Sequence, residues 1–420
     1  MTQRQEAVRP DAGDGIVPRL PTERTCPFDP PEELRRLRAE APVRRMRFPT
    51  GDLGWLLTGY DEVRALLADP RVSSRRTRAS HPVRELPPEA EEIVRVQPGH
   101  FIAQDAPDHT RYRRLLTGHF TVRRVRALTG RIEEIVDDHL TAMAAGTPPV
   151  DLMQAFALPL PSLVICETLG VPYAERQMFQ RRAAALISTT DDVTVIRRSQ
   201  REMLEYMSDL LRAKRAEPGD DLLSGLVTRS DAEGPLTDEE LVNIANLLLV
   251  AGHETTANMI AMGVLTLLRH PGQLAALCDD PDLTDRAVEE LLRYVTIPQH
   301  GVVRTATGDI EIGGKRILAG ETIVASLPAA NRDPARFADP DTLDVSRQSP
   351  AHLSFGHGVH QCLGQQLARV EMRVAFRALL QRFPTLRLAV PFEQLRMRTD
   401  SFVLGIHELP VAWDTAAARA

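Results

Sequence analysis

The chain has 420 residues and a formal net charge of −6, long enough to bury a large core and too acidic for wholesale nucleic-acid binding. Its four cysteines, Cys26, Cys166, Cys278 and Cys362, are widely separated, which argues against a disulfide framework. The polar N-terminus lacks a signal-peptide pattern, and the longest apolar stretch, Ala245 to Gly252, is far short of the roughly 20 residues of a membrane span, so the expectation is a soluble cytoplasmic protein that does not enter membranes.

In chain order, residues 1–24 mix charge with Gly and Pro and are expected to be disordered, leaving 25–420 as a single domain. EELRRLRAEAPV predicts a helix ending before Pro42, WLLTG a short strand, and YDEVRALLADP a helix stopped by Pro70. Residues 80–107 hold several prolines and little periodicity, which predicts a long loop of the kind often tied to function. Helical periodicity dominates from 109 to 290. Leu241 to His270 reads as one helix, apolar on most faces and therefore buried. DIEIGGKRIL then predicts a hairpin about Gly313 and Gly314, ETIVASL a strand, and LGQQLARVEMRVAFRALLQRF a helix closed by Pro384, with strand-like pieces out to Trp413. The expected fold class is mainly α with a smaller β portion.

Three motifs carry chemistry. FGHGVHQCLG, Phe355 to Gly364, places His357, His360 and Cys362 within six residues. Together they could chelate zinc, but no fourth ligand or second Cys/His pair stands at ligand spacing. A buried free cysteine on a Gly-rich turn is the plainest alternative. As a third reading, Cys362 stands just before a helix, where free N–H groups and the macrodipole favour a thiolate. Gly356, Gly358 and Gly364 free the backbone around it, and Phe355 can shield the sulfur. Such a lone thiolate suits an axial haem ligand.

EELLRY puts Glu290 and Arg293 on one helix face. AGHETT, Ala251 to Thr256, puts Gly252 in a helix interior at a cost of about 1 kcal/mol relative to Ala. The small Ala251 and Gly252 would let a flat cofactor approach, and Thr255 can turn its hydroxyl to the Ala251 carbonyl. Glu254, on so apolar a helix, invites a functional reading over the ordinary one of a solvated face.

Phe355, Gly358, Cys362 and Gly364 match the FxxGxxxCxG pattern, and the chain resembles the cytochrome P450 monooxygenases, in particular the bacterial, actinomycete-type members. The resemblance covers about Cys26 to Trp413. It implies the P450 fold, with haem b (iron protoporphyrin IX) between the long central helix and the helix after the cysteine loop, and with Cys362 as the iron ligand. It implies that Glu290, Arg293 and Arg347 form a buried structural network, and that Glu254 and Thr255 are the acid–alcohol pair delivering protons during oxygen activation. His109, Arg113, Arg304 and His360 match the propionate positions. By family position the substrate pocket would draw on Leu248, Gln299, His300, Ser401 and Phe402, suiting a largely apolar macrolide, other polyketide or terpenoid.

From His109 to Arg131 there are seven arginines and no acid, read either as a solvated helix face or as a docking patch for an acidic ferredoxin served by an NAD(P)H-dependent reductase. A monomer is expected. A peroxide-driven oxygenase on the same fold would not need the acid–alcohol pair, and a non-catalytic haem sensor would have no reason to keep AGHETT.

Overall fold

A computed structural model describes residues 17–228, 230–231, 234–348 and 351–414. Helix makes up 53% of it, so the mainly helical expectation holds. The central helix spans Asp238–Arg269, 32 residues, or about 48 Å. It begins three residues before the predicted start because Thr237 and Glu240 close a capping box: Glu240 N donates to Thr237 Oγ1 at 3.2 Å and Thr237 N to Glu240 Oε2 at 2.6 Å. The same carboxylate accepts from Tyr112 Oη at 2.6 Å and Arg111 Nη1 at 2.9 Å, which ties this helix start to helix Asp108–Thr117. The largest apolar core runs along its length, with Ile244, Leu249, Ile260, Val264 and Leu267 almost fully buried. Among the described residues no helix is long and apolar enough to cross a membrane.

The β portion is a five-stranded sheet in the order Val43–Arg47, Leu53–Leu57, Thr322–Ala325, Val302–Ala306, Val72–Ser73. Thr322–Ala325 runs parallel to Leu53–Leu57, with Ile323 opposite Trp55, and antiparallel to Val302–Ala306, with Val324 opposite Val303. The predicted hairpin forms as Ile310–Ile312 paired with Lys315–Ile317, its two-residue turn using positive φ at Gly313 and Gly314.

Two expectations need correction. Of the segment expected to be disordered, residues 1–16 lie outside the described residues, while residues 17–24 pack onto the sheet. Leu20 is buried with Leu34, Leu37, Met46 and Phe48, and the Pro18 carbonyl accepts from Arg47 N at 2.8 Å. One apolar side chain with a prepared recess outweighs a polar composition. The 80–107 loop also carries helical turns, Pro88–Ala90, Glu91–Val94 and Phe101–Ala103, with Leu86 and Phe101 buried beneath it.

Candidate functional site: a cavity between the cysteine loop and the central helix

The cysteine loop leads into helix Gln365–Arg382, with Gly364 at its N-cap. Its turn is set by backbone: Cys362 N donates to the Phe355 carbonyl at 2.9 Å, and Gly356 and Gly358 adopt φ of 70° and 74°. Gly358 is also required by space, since a Cβ there would come within 2.3 Å of the Leu67 carbonyl oxygen. Gly364 is not: its φ is −83° and a Cβ would meet nothing within 4 Å. Among the described residues no three His, Cys, Asp or Glu side chains gather where they could hold an ion, so His357, His360 and Cys362 do not make a zinc site. Cys362 faces a cavity walled by Phe355, Gly356, His360, Thr255, Ile297 and Val302.

Burial pushes the Cys362 thiol above its ordinary pKa, against the opposing pull of the Gly364 and Gln365 N–H groups and of the Arg113 and Arg369 guanidiniums. The helix start and both guanidiniums favour the thiolate that burial opposes. A metal cation bound to the sulfur would do so outright.

The Glu290 network is present as predicted. Arg293 Nε and Nη2 donate to Glu290 Oε2 and Oε1, each at 2.7 Å, and both side chains are fully buried. Arg347 Nε reaches Glu290 Oε1 at 3.1 Å. Asn331 links this network to the cysteine loop, a residue that sequence reasoning missed. Its carbonyl accepts from Arg293 Nη1 at 2.9 Å. Its side chain accepts from Leu353 N at 2.7 Å and donates to Ser354 Oγ at 2.9 Å, immediately before Phe355.

On the opposite wall, Thr255 Oγ1 donates to the Ala251 carbonyl at 2.8 Å, the side-chain bond that the motif predicts. Ala251 is exposed in the middle of an otherwise buried helix. Gly252 does not serve the cavity: the place its Cβ would take is filled by Ile165, 2.7 Å away, on helix Pro159–Leu169. This glycine permits helix–helix contact, which corrects its assignment to the cofactor. Glu254 points away from Thr255 and pairs with Arg398 at 2.9 Å, their side chains 6% and 15% exposed. Asn258 Nδ2 lies 3.3 Å from the same carboxylate oxygen. Gly405, opposite Arg398 in the hairpin Met397–Arg398/Gly405–Ile406, leaves room for Asn258, whose Oδ1 would otherwise meet a Cβ. Arg398 and Asn258 were not legible as partners.

Basic side chains crowd one corner of the cavity. His109 is buried and its Nε2 has no hydrogen-bond partner; its ring lies 4.0 Å from that of His360. Arg113 Nη2 donates to the Gln361 carbonyl at 2.6 Å. Burial, with Arg76 beside it, lowers Arg304 to about 10. Burial, His109 and Arg304 lower His360 to about 3. Asp105 is the acid acting on this cluster. Such an accumulation of under-compensated donors beside an orphan imidazole nitrogen fits a dianionic group, as two propionates would be. Arg76 extends the cluster and was not foreseen.

The five expected pocket residues do not line this cavity. Leu248 sits in the main core. The Gln299 amide is committed to the Ser401 carbonyl, and Gln299 N donates to Phe402 O at 3.2 Å, so these groups staple two chain segments. His300 is buried against Phe402, ring centroids 5.8 Å apart, with both nitrogens unpartnered. Thr256, Met259, Leu292, Ile297, Pro298 and Val302 are found on the walls instead.

The arginine run is divided by the fold. Arg111 pairs with Glu240 and Arg131 with Glu134 and Glu167, while Arg113 turns inward. Arg123, Arg124 and Arg126 stay exposed on helix Val122–Ala127.

Comparison with known proteins agrees with this geometry. The Cytochrome P450 family model matches residues 168–411. The chain is 51% identical over 389 residues to Cytochrome P450 105C1 of a Streptomyces species, covering 92% of this chain and 96% of that one. It superimposes on CYP105P1 in complex with filipin I with a TM-score of 0.90 at 45% identity, covering 95% and 99% of the two chains. On the mycinamicin VIII C21 methyl hydroxylase MycCI from Micromonospora griseorubida, bound to mycinamicin VIII, the TM-score is 0.87 at 41% identity, covering 94% and 100%. A cysteine loop tied to a buried Glu–Arg pair, a central helix facing it with the Thr255 hydroxyl on the Ala251 carbonyl and a basic corner between them belong to a haem monooxygenase: the chain is a member of the cytochrome P450 family.

Proposed function

We propose that this P450 hydroxylates or epoxidises a largely apolar secondary metabolite of the polyketide, macrolide or terpenoid kind, receiving electrons from an acidic ferredoxin and its NAD(P)H-dependent reductase. The observation that carries this reading is the cavity itself, in which apolar walls meet Cys362 on one side and Thr255 on the other. When bound, the haem supplies the activation of dioxygen. Cys362 would be its single protein ligand to iron, and His109, Arg113, Arg304 and His360 would hold its propionates. Thr255 would hold a proton at its Oγ1 beside the reacting centre. Glu254 would exchange protons with solvent from the far side of the helix, restrained by Arg398. Ile297, Pro298 and Val302 would exclude water and orient the substrate.

The relatives that bind filipin I and mycinamicin VIII support a large substrate. Substrate-binding difference spectra across a panel of macrolides, terpenoids and fatty acids, followed by product identification, test the assignment. Tight binding and oxygenation of fatty acids alone would contradict it.

For the electron donor, the exposed Arg123, Arg124 and Arg126 stand beside Val122, and Val359 of the cysteine loop is 70% exposed; cations with apolar neighbours suit an acidic partner. Turnover with an acidic ferredoxin is expected to fall steeply with ionic strength, and a salt-independent rate would remove the docking patch. Retention of Thr255 and of a positioned Glu254 favours this reading over a peroxide-driven oxygenase or a haem sensor.

A further inference from the structure

EELLRY carries a second acid that the Glu290 network does not use. Glu289 faces the other way, toward the cysteine loop. Arg369 Nε and Nη2 donate to its Oε1 and Oε2 at 2.6 and 3.0 Å, a bidentate clasp. Arg369 Nη1 also reaches Gln365 Oε1 at 3.0 Å, so the guanidinium is fixed at three points. Its Cζ lies 4.6 Å from the centre of the Phe355 ring, and Phe355 shares the cavity wall with Cys362. On the outer side, His352 Nε2 stands 3.2 Å from Glu289 Oε2. Because His352 Nδ1 accepts from Ser354 N at 3.2 Å, Nε2 is the ring nitrogen left to donate to the carboxylate.

The order outward from the sulfur is therefore an aromatic ring, a cation on that ring, and an anion clasping the cation. A surface ion pair adds little to stability, and Glu289 is 36% exposed, so stability alone explains this arrangement poorly. Its electrostatic effect has a definite sign. Reduction of a thiolate-bound haem iron adds one negative charge; a fixed cation nearby favours the reduced state, and an anion behind it moderates that effect.

We propose that Glu289 and Arg369 form a charge pair that tunes the reduction potential of the haem through Phe355, with Arg369 as a positioning residue that eases reduction and Glu289 as its moderator. This rests on the reading of Cys362 as the iron ligand. The test is a spectroelectrochemical titration of the holoenzymes with dithionite and mediator dyes. Glu289→Gln, which leaves the Arg369 charge uncompensated, is expected to shift the ferric/ferrous equilibrium about tenfold toward ferrous, or about 59 mV for one electron. Arg369→Gln is expected to shift it by a similar factor toward ferric, and Arg369→Lys to stay near wild type.

A merely structural pair would lower the melting temperature in both Gln variants without opposite shifts in potential. Shifts below twofold, or of the same sign in Glu289→Gln and Arg369→Gln, overturn the proposal. Should Arg369→Gln fail to retain haem, Glu289→Gln against Arg369→Lys decides alone: an upward shift confined to Glu289→Gln supports the pair, and none overturns it. Carbon monoxide adducts of each reduced protein separate the two levels of inference. A red-shifted Soret band with unchanged potentials sinks the charge pair only, whereas its absence in wild type sinks the Cys362 assignment as well.

Discussion

The two walls of the haem cavity are stabilised in opposite ways. The cysteine loop has almost no repeating hydrogen bonds of its own and is fixed by distant polar groups: Glu290 and Arg293 on one helix, Arg347 and Asn331 from two later segments. The central helix is capped by Thr237 and Glu240 and buried on nearly every face, so its backbone holds its shape without help, and the ties from Tyr112 and Arg111 reach only its first turn. The buried ion pair in its middle, Glu254 with Arg398, fixes a carboxylate rather than a fold. A helix satisfies its own backbone, whereas a loop at a metal site must borrow its rigidity. Damage to the loop's ties should therefore abolish the cofactor site, and damage to the helix's polar groups should change chemistry or local stability while the site survives.

The largest effect is expected from Arg293→Ala. Removing one partner of a fully buried pair costs about 3–5 kcal/mol, and the loop loses its anchor through Asn331. The expected product is haem-free, poorly soluble protein, measured by haem content after purification. Normal haem loading would erase the distinction between the walls.

Next is Arg398→Met, which strands the Glu254 carboxylate and is expected to cost about 3 kcal/mol in denaturant unfolding while haem is retained. Glu254→Gln combined with Arg398→Met should recover most of that loss, because no buried charge remains. A double variant as unstable as the single one would show that Arg398 acts through packing alone.

Thr255→Ala should leave stability within about 0.5 kcal/mol and change the reaction instead, with product formed per electron falling severalfold and peroxide rising. Unchanged coupling would remove Thr255 from the proton path.

The smallest effect concerns pH. Burial alone would raise Glu289, but His352 and Arg369 outweigh it and hold the carboxyl at about 2, against 4.5 unperturbed. A carboxyl depressed on folding stabilises the protein above its unfolded pKa, and that contribution is lost as pH falls toward the folded value. The stability gap between wild type and Glu289→Gln should therefore narrow as pH is lowered from about 5 to about 3. A constant gap would show that the carboxylate charge is not what matters there.

Much of this was legible in the sequence where the determinants are local. The hairpin about Gly313 and Gly314, the spacing of Glu290 and Arg293 and the Thr255–Ala251 bond each lie within a few residues, and propensity and spacing read them; the Thr237–Glu240 capping box is as local and was missed. Pairings across the fold were not legible. Arg398 is 144 residues from Glu254, and nothing in MRTD marks it as that acid's partner. Asn331 in AANRDP reads as a turn residue until the fold brings Leu353 to it. Gly252 shows a subtler failure: a glycine in a motif invites a functional reason, yet Ile165 requires it. Family position placed Gln299 and Ser401 near the cavity, and only the fold shows that the Gln299 amide is spent on the Ser401 carbonyl.

A sulfur–iron bond at Cys362 would be reported directly by the absorption spectrum of the dithionite-reduced protein under carbon monoxide. The expected result is the red-shifted Soret band of a thiolate-ligated ferrous carbonyl, lost when Cys362 is replaced by His. A freshly reduced wild-type protein with the unshifted band of an imidazole-ligated haem would contradict the account.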